Sequence, residues 1–258
     1  MIEEKSTDTE LKRNARRIKS LNKWRKIVPA VLGVLAAVLV MMYVASLLFM
    51  KNGTFTVSVK DYGDTKYSLT LCENADFKRK TSRLSVKAVE NVNNISVADL
   101  PTNLNDTDGS HNGENYLAYT FYLQNSGTES CTYSYKIAIT RATLGIDGAA
   151  RVRVYFNPDY YRASTGEYNY SGAYTDYAKP VTGGNGKAET DIYGNELVNF
   201  VNDSVVVENE VTNFAPKSIA KITVVIWLEG DDTDCNDDAL GGQFKADMSF
   251  AVVGGTEE

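Results

Sequence analysis

The stretch YLAYTFYLQNSGTESCTYSYKIAITR, residues 116–141, decides the fold. Its first half places Leu117, Tyr119, Phe121 and Leu123 on one side of an extended chain, with Tyr116 and Tyr122 on the other. Its second half sets Tyr133, Tyr135, Ile137 and Ile139 against Thr132, Ser134, Lys136 and Ala138. A period of two in aromatic and β-branched residues is the signature of strands that bury one face. The turn residues Asn125, Ser126 and Gly127 lie between the halves, so the two strands are expected to pair as a hairpin.

The same pattern continues outward in both directions. Residues 54–60 (TFTVSVK) align Phe55, Val57 and Val59; residues 67–72 align Tyr67, Leu69 and Leu71; residues 84–89 make a further short strand. Toward the carboxyl end, residues 151–156 (RVRVYF) read as a strand that stops at Asn157 and Pro158. Strand character is weak at 204–207 and strong at 220–229 and 244–253, where Phe244, Ala246, Met248, Phe250 and Val252 share a face. Residues 91–115 are rich in Asn, Asp, Gly and Ser, contain Pro101 and read as a long loop. Residues 159–196 lose all periodicity and read as a large excursion from the fold. Roughly eight to ten strands with almost no helical periodicity predict an all-β fold, an antiparallel β-sandwich of jelly-roll-like kind.

One segment follows another rule. Residues 27–50, IVPAVLGVLAAVLVMMYVASLLFM, are 24 consecutive residues without a charge. As a helix they reach about 36 Å, enough to cross a hydrocarbon core of about 30 Å, so they are expected to form one transmembrane helix. A cleaved signal peptide is the competing reading. It needs an apolar region of about 7 to 15 residues and a cut after small residues; this run is longer, and Val44, Ala45 and Ser46 make a poor cleavage site. Lys12, Arg13, Arg16, Arg17, Lys19, Lys23, Arg25 and Lys26 crowd the amino-terminal flank, while Lys51 alone follows closely. The positive-inside rule then puts 1–26 in the cytoplasm and 51–258 outside the cell. Trp24 and Tyr43 are candidate interfacial anchors, and Leu11, Ala15, Ile18 and Leu21 fall at helical spacing, either an amphipathic helix on the membrane surface or a solvated tail.

Splitting the charge at the apolar run explains it. Nine Lys and Arg against four Asp and Glu precede the run, and 18 against 29 follow it, giving about +5 and −11. A basic tail beside an anionic leaflet follows from topology, so nucleic acid is not called for as a partner. Three cysteines, Cys72, Cys131 and Cys235, allow at most one internal bridge and show no C-x-x-C spacing.

Catalytic motifs are absent from the sequence. The single histidine, His111, sits in a Gly-Ser-His-Asn-Gly context, and no serine lies in a G-x-S-x-G elbow, so no catalytic residue is assigned and no enzyme is expected. Gly183, Gly184, Asn185, Gly186 and Lys187 approach a phosphate loop, but Val181 replaces its first glycine and Ala188 its final hydroxyl residue. Asp232, Asp234, Asn236 and Asp238 alternate as calcium-loop oxygen ligands do, although Asp237 takes the place of the turn glycine and Gln243 that of the closing Glu. The competing reading is an exposed acidic turn in which Asp237 or Asp238 starts a short helical turn. Within the excursion, Tyr168, Tyr170 and Tyr174 stand among Ser, Gly and Asn, a mixture that suits binding loops, and they are the candidate ligand-binding residues. The alternatives there are a disordered insertion or a hairpin whose tyrosines cover the sandwich edge.

The segments VVIWLEGDDTDCNDDALGGQFKADMSF (224–250) and DGSHNGENYLAYTFYLQNSG (108–127) resemble uncharacterised single-anchor surface proteins of Gram-positive anaerobes. Low cysteine content in an exported domain agrees with that resemblance. More remotely, an apolar segment followed by NGTFTVSV (52–59) is similar to the camelysin and TasA group of matrix-associated jelly rolls, which carry a shorter, cleaved signal. The resemblance implies a membrane-anchored bacterial cell-surface protein that binds or assembles in the cell envelope or matrix. Its partners would then be the membrane and either an envelope component or its own kind. A metal-dependent extracellular enzyme or sensor using the acidic loop 231–238 is the alternative.

Overall fold

The computed structural model describes residues 28–29, 31–44, 55–60 and 65–255, within two units, residues 1–51 and 52–258. In the first unit residues 28–29 and 31–44 are helical, and their large apolar side chains, Val34 and Met41 among them, are exposed. Among the described residues no helix is long and apolar enough to cross a membrane. The expected span, 27–50, runs past the described residues at both ends, and the tail 1–26 with its expected amphipathic helix lies outside them.

The second unit is all-β, built on strands β1 (Phe55–Lys60), β2 (Leu69–Cys72), β3 (Arg83–Val86), β4 (Gly109–Ser110), β5 (Tyr116–Asn125), β6 (Cys131–Ala142), β7 (Ala150–Arg162), β8 (Glu167–Tyr168), β9 (Tyr174–Ala178), β10 (Val198–Asn199), β11 (Val205–Phe214), β12 (Ile219–Leu228) and β13 (Phe244–Gly255). They form two sheets, in the orders β11-β6-β13-β1-β3 and β10-β9-β7-β12-β5-β2, with β4 added beside β5 and β8 beside β7. The inward faces meet in one core. Phe121 of the second sheet lies edge-on to Phe250 of the first at 6.1 Å, and Phe156 stacks on Tyr135 at 4.4 Å. Leu117, Tyr119, Phe121, Leu123, Tyr133, Ile137, Met248 and Phe250 are all buried there, as the alternation predicted.

The expected hairpin does not form. β5 and β6 fall in different sheets: β5 pairs with β12, β2 and β4, and β6 pairs with β11 and β13. The connection between them turns across the sandwich instead of back along β5. Ser126 and Gly127 donate their N–H groups to Ser68 O, and Thr128 and Glu129 donate theirs to Lys66 O. Buried Asn125 fixes the crossing, donating to Glu129 O at 2.9 Å and Phe214 O at 2.7 Å while accepting from Gly127 N–H at 2.9 Å. Both strands still bury alternate residues in the same core, which is why alternation alone left the partner open.

Antiparallel pairing also fails at two places. β1 lies parallel to β13, pairing Phe55 with Ala246 and Lys60 with Ala251, and β10 lies parallel to β9. First and last strands are therefore neighbours that run the same way, which departs from an all-antiparallel jelly roll.

Residues 91–115 are a cover rather than a loose loop. Val97, Leu100 and Leu104 pack with Ala118, Tyr155, Val225 and Trp227 on the outer face of the second sheet. A second apolar group on the same face joins Cys72, Phe77, Tyr122, Tyr160 and Ile219. This third layer explains why β5 is buried on both faces. Between the two groups lies a polar strip in which Thr120 and Thr223 share a hydrogen bond of 2.7 Å and are both fully buried. His111 holds the cover's path, with Nδ1 at 2.9 Å from Gly109 O and Nε2 at 2.8 Å from Leu104 O.

Candidate functional site

β7 is longer than RVRVYF suggested and carries much of the supposed excursion. Pro158 has no N–H to give a ladder, and the register between β7 and β12 slips where it stands, Lys221 pairing with Asn157 and Ile219 with Tyr161. The bulge lets the strand continue to Arg162. A tight turn follows, closed by Gly166 N–H to Arg162 O at 2.8 Å with Gly166 at φ +72°, and β8 returns against β7.

This geometry assembles a cluster of tyrosines. Buried Tyr160 receives Tyr168 at 5.5 Å and Tyr170 at 5.5 Å, both edge-on, while Tyr168 and Tyr170 stack on each other at 6.4 Å. Tyr161 closes on Tyr168 at 4.8 Å, and Tyr122 backs Tyr160 at 5.4 Å. Burial, together with the Tyr170 hydroxyl, pushes the Tyr160 phenol up to about 12. Tyr168 and Tyr170 remain 52% and 76% exposed. Tyr174 belongs to a separate arrangement: the Arg153 guanidinium lies 3.9 Å from its ring centre and Tyr155 is 5.2 Å away. So two of the three expected binding tyrosines are brought together, and the third stands at the start of β9 against the Arg153 guanidinium of β7.

The acidic loop has its own internal partners. Asp232 forms an ion pair with Arg151, and the two side chains are only 1% and 3% exposed. Asp232 also accepts the Asp234 N–H at 2.7 Å, and Asp234 accepts the Thr182 hydroxyl at 2.6 Å. Asn236 accepts the Asp238 N–H at 2.9 Å and caps the single helical turn Asp237–Ala239, which is the acidic-turn alternative read from the sequence. Among the described residues no group of three or more His, Cys, Asp and Glu is arranged to hold a metal ion.

A cleft of about 240 Å³ opens beside this loop, lined in part by Trp227, Glu189, Asp191, Glu229 and Asp231, with Arg151, Asp176 and Asp232 at its wall. Two of its carboxylates are matched by arginines, Asp232 by Arg151 and Asp176 by Arg153, the latter through two hydrogen bonds of 2.7 Å. Glu229 accepts from Val97 N–H at 3.1 Å and Trp227 Nε1 at 3.0 Å, which ties the cover to the end of β12. Burial raises the Glu189 carboxyl above its ordinary range, and the charge of Asp232 adds to this while Arg151 opposes it. Asp191 goes the other way: burial is outweighed by hydrogen bonds from the Asn195 side chain and the backbone of Asn195, Tyr193 and Gly194. The sequence offered no sign of this cleft, because Arg151, Asp176, Glu189 and Trp227 come from distant segments. An Arg at alternate positions of a strand ordinarily reads as a solvent face, and here that face is covered.

No family model matches the chain, and no curated protein matches it. Among solved structures it has similarity to a beta-glucosidase from Kluyveromyces marxianus in complex with glucose, at 13% identity over 73% of this chain and 16% of that one, with a TM-score of 0.19. A selenomethionine-labelled form of that beta-glucosidase matches at 10% identity over 77% of this chain and 19% of that one, with a TM-score of 0.20. The chain thus spans under a fifth of those proteins, and TM-scores this low carry no argument about its fold or activity.

Proposed function

We propose that the protein is a membrane-anchored cell-surface protein whose β-sandwich binds an envelope component or a second copy of itself, with Tyr168 and Tyr170 as the contact surface. The observation that carries this reading is the pair of stacked, exposed tyrosines standing on buried Tyr160. A ring held by its neighbours has little side-chain entropy left to lose on binding, and tyrosine offers both an apolar face and a hydroxyl. The charge asymmetry about the apolar run 27–50 supports the anchor and its orientation. The alternative, a metal-dependent sensor or enzyme, rests on the acidic loop, where Asp232 and Asn236 are engaged by Arg151 and by a helical cap.

The test is a Tyr168→Ser/Tyr170→Ser variant, with Tyr174→Ser made separately because Arg153 leans on that ring. Retention on isolated cell-wall material and self-association in sedimentation are measured beside the melting temperature. Loss of either interaction at unchanged stability is expected; unchanged retention and unchanged self-association refute the reading. Orientation is checked by protease added to cells whose wall has been opened. Removal of the sandwich with survival of 1–26 is expected, and protection of the sandwich reverses it.

A further inference from the structure

The polar strip beneath the cover contains a nucleophile placed against an amide. Asn105 lies in the helical turn Leu104–Asp106, on the outer face of β12. Lys221 Nζ donates to the main-chain oxygen of Asn105 at 2.5 Å. Two residues further along the same face, the Thr223 hydroxyl donates to Asn105 Oδ1 at 2.8 Å. Since that proton goes to Asn105, the buried Thr120 hydroxyl must be the donor in its bond with Thr223, which fixes the direction of polarisation toward the amide carbonyl. Asn105 Nδ2 is anchored on Ser171 O at 3.1 Å. Both carbonyl groups of Asn105 therefore sit on neighbouring outward side chains of one strand, and the Lys221 stem must rotate from the first to reach the second.

We propose that Lys221 and Asn105 form an intramolecular isopeptide cross-link that fastens the cover 91–115 to the centre of the second sheet. The unprotonated Nζ attacks Cγ of Asn105, the bond from Cγ to the amide nitrogen breaks, and that nitrogen leaves as ammonia. The proton lost by Nζ passes to the leaving nitrogen. No oxidant or further reactant takes part. Thr223 stabilises the oxyanion that develops on Oδ1, as a fixed donor does in acyl transfer. The charge of Asp108 acts on Lys221, and its carboxylate is held by the Tyr122 hydroxyl at 2.6 Å, on the residue that pairs with Lys221 across β5 and β12. Burial lowers the Lys221 amine below its ordinary value, with Asp108 and Asp106 opposing, and a desolvated lysine is the activated form of this nucleophile. The Tyr160 ring, 5.8 Å from Nζ, shields it from one side.

The consequence suits an exported domain. Cys72, Cys131 and Cys235 are all free, so no disulfide restrains the unfolded chain. A bond between residues 116 apart in sequence closes a long loop, the case in which a cross-link restricts the unfolded chain most.

Mass spectrometry of the full chain, purified after overnight incubation, decides the matter. The expected mass is one ammonia below that of the sequence, and digestion is expected to yield a branched peptide joining the Asn105 and Lys221 segments. Lys221→Met and Asn105→Ala are expected at their full sequence masses. A wild-type chain at full sequence mass overturns the proposal, whether or not the variants fold. So does a loss of ammonia without the branched peptide, which would mark cyclisation at Asn52, Asn112 or Asn185, each followed by glycine.

Discussion

Replacing Asp232 by Asn removes one charge from an ion pair that is almost completely enclosed. The Arg151 guanidinium would then remain buried, with Gly148 O at 3.2 Å and Ala150 O at 3.4 Å as its only other acceptors among the described residues. Two neutral carbonyls do not replace a carboxylate. Breaking a buried pair by deleting one partner typically costs about 3–5 kcal/mol, because the surviving charge is left uncompensated. For a domain of this size each kcal/mol moves the melting temperature by about 2–4 °C, so Asp232→Asn is expected to melt lower by roughly 6–20 °C. The double variant Arg151→Met/Asp232→Leu removes both charges and is expected to recover most of that loss, giving a large coupling energy in a double-mutant cycle by urea denaturation. The same reasoning speaks to calcium. If Asp232 is committed to Arg151, millimolar calcium leaves the melting temperature of the wild type unchanged. A loss below about 0.5 kcal/mol for Asp232→Asn, the size of an ordinary surface change, would refute the argument. So would a calcium-dependent rise in melting temperature, which mass action requires of any ion that binds the folded state.

Further outcomes follow from single positions. Gly127→Ala puts a Cβ about 2.1 Å from Lys66 O, a backbone atom with no side-chain freedom, so the crossing from β5 to β6 must distort; a fall in urea midpoint at unchanged slope is expected, and a neutral result would mean the crossing is loosely held. The Tyr133 hydroxyl is buried and has no hydrogen-bond partner among the described residues, so Tyr133→Phe is expected to be neutral or to stabilise by about 1 kcal/mol in the same assay. Burial pushes the Cys131 thiol from 9.0 up to about 11. Between those values the folded chain keeps a proton that the unfolded chain gives up, so stability falls as pH rises through the window. Cys131→Ala should flatten that part of the pH profile, whereas an unchanged slope would place its cause elsewhere, with buried tyrosines such as Tyr119 and Tyr133.

Strand alternation is a local property, and the core faces of β1, β5, β6, β12 and β13 were legible because side chains in an extended chain point to opposite sides whatever the partner. The apolar run 27–50 and the basic flank before it are likewise properties of composition along the chain. Sequence could also name Tyr168 and Tyr170 as surface candidates from their company of Ser, Gly and Asn. It could not assign β5 and β6 to different sheets, because a turn of five residues allows return or crossing, and the choice depends on Asn125 reaching Phe214 O and on Lys66 and Ser68 accepting the turn's N–H groups. Val97, Leu100 and Leu104 are three and four residues apart, but Pro101 and the polar residues around them break any helix, so the spacing did not point to their packing on Trp227 and Tyr155. The pairing of Arg151 with Asp232, and of Lys221 with Asn105, joins residues 81 and 116 apart. Charge and amide chemistry are written in the chain, but which groups meet, and whether water is excluded when they do, was decided only when the third layer closed over the second sheet.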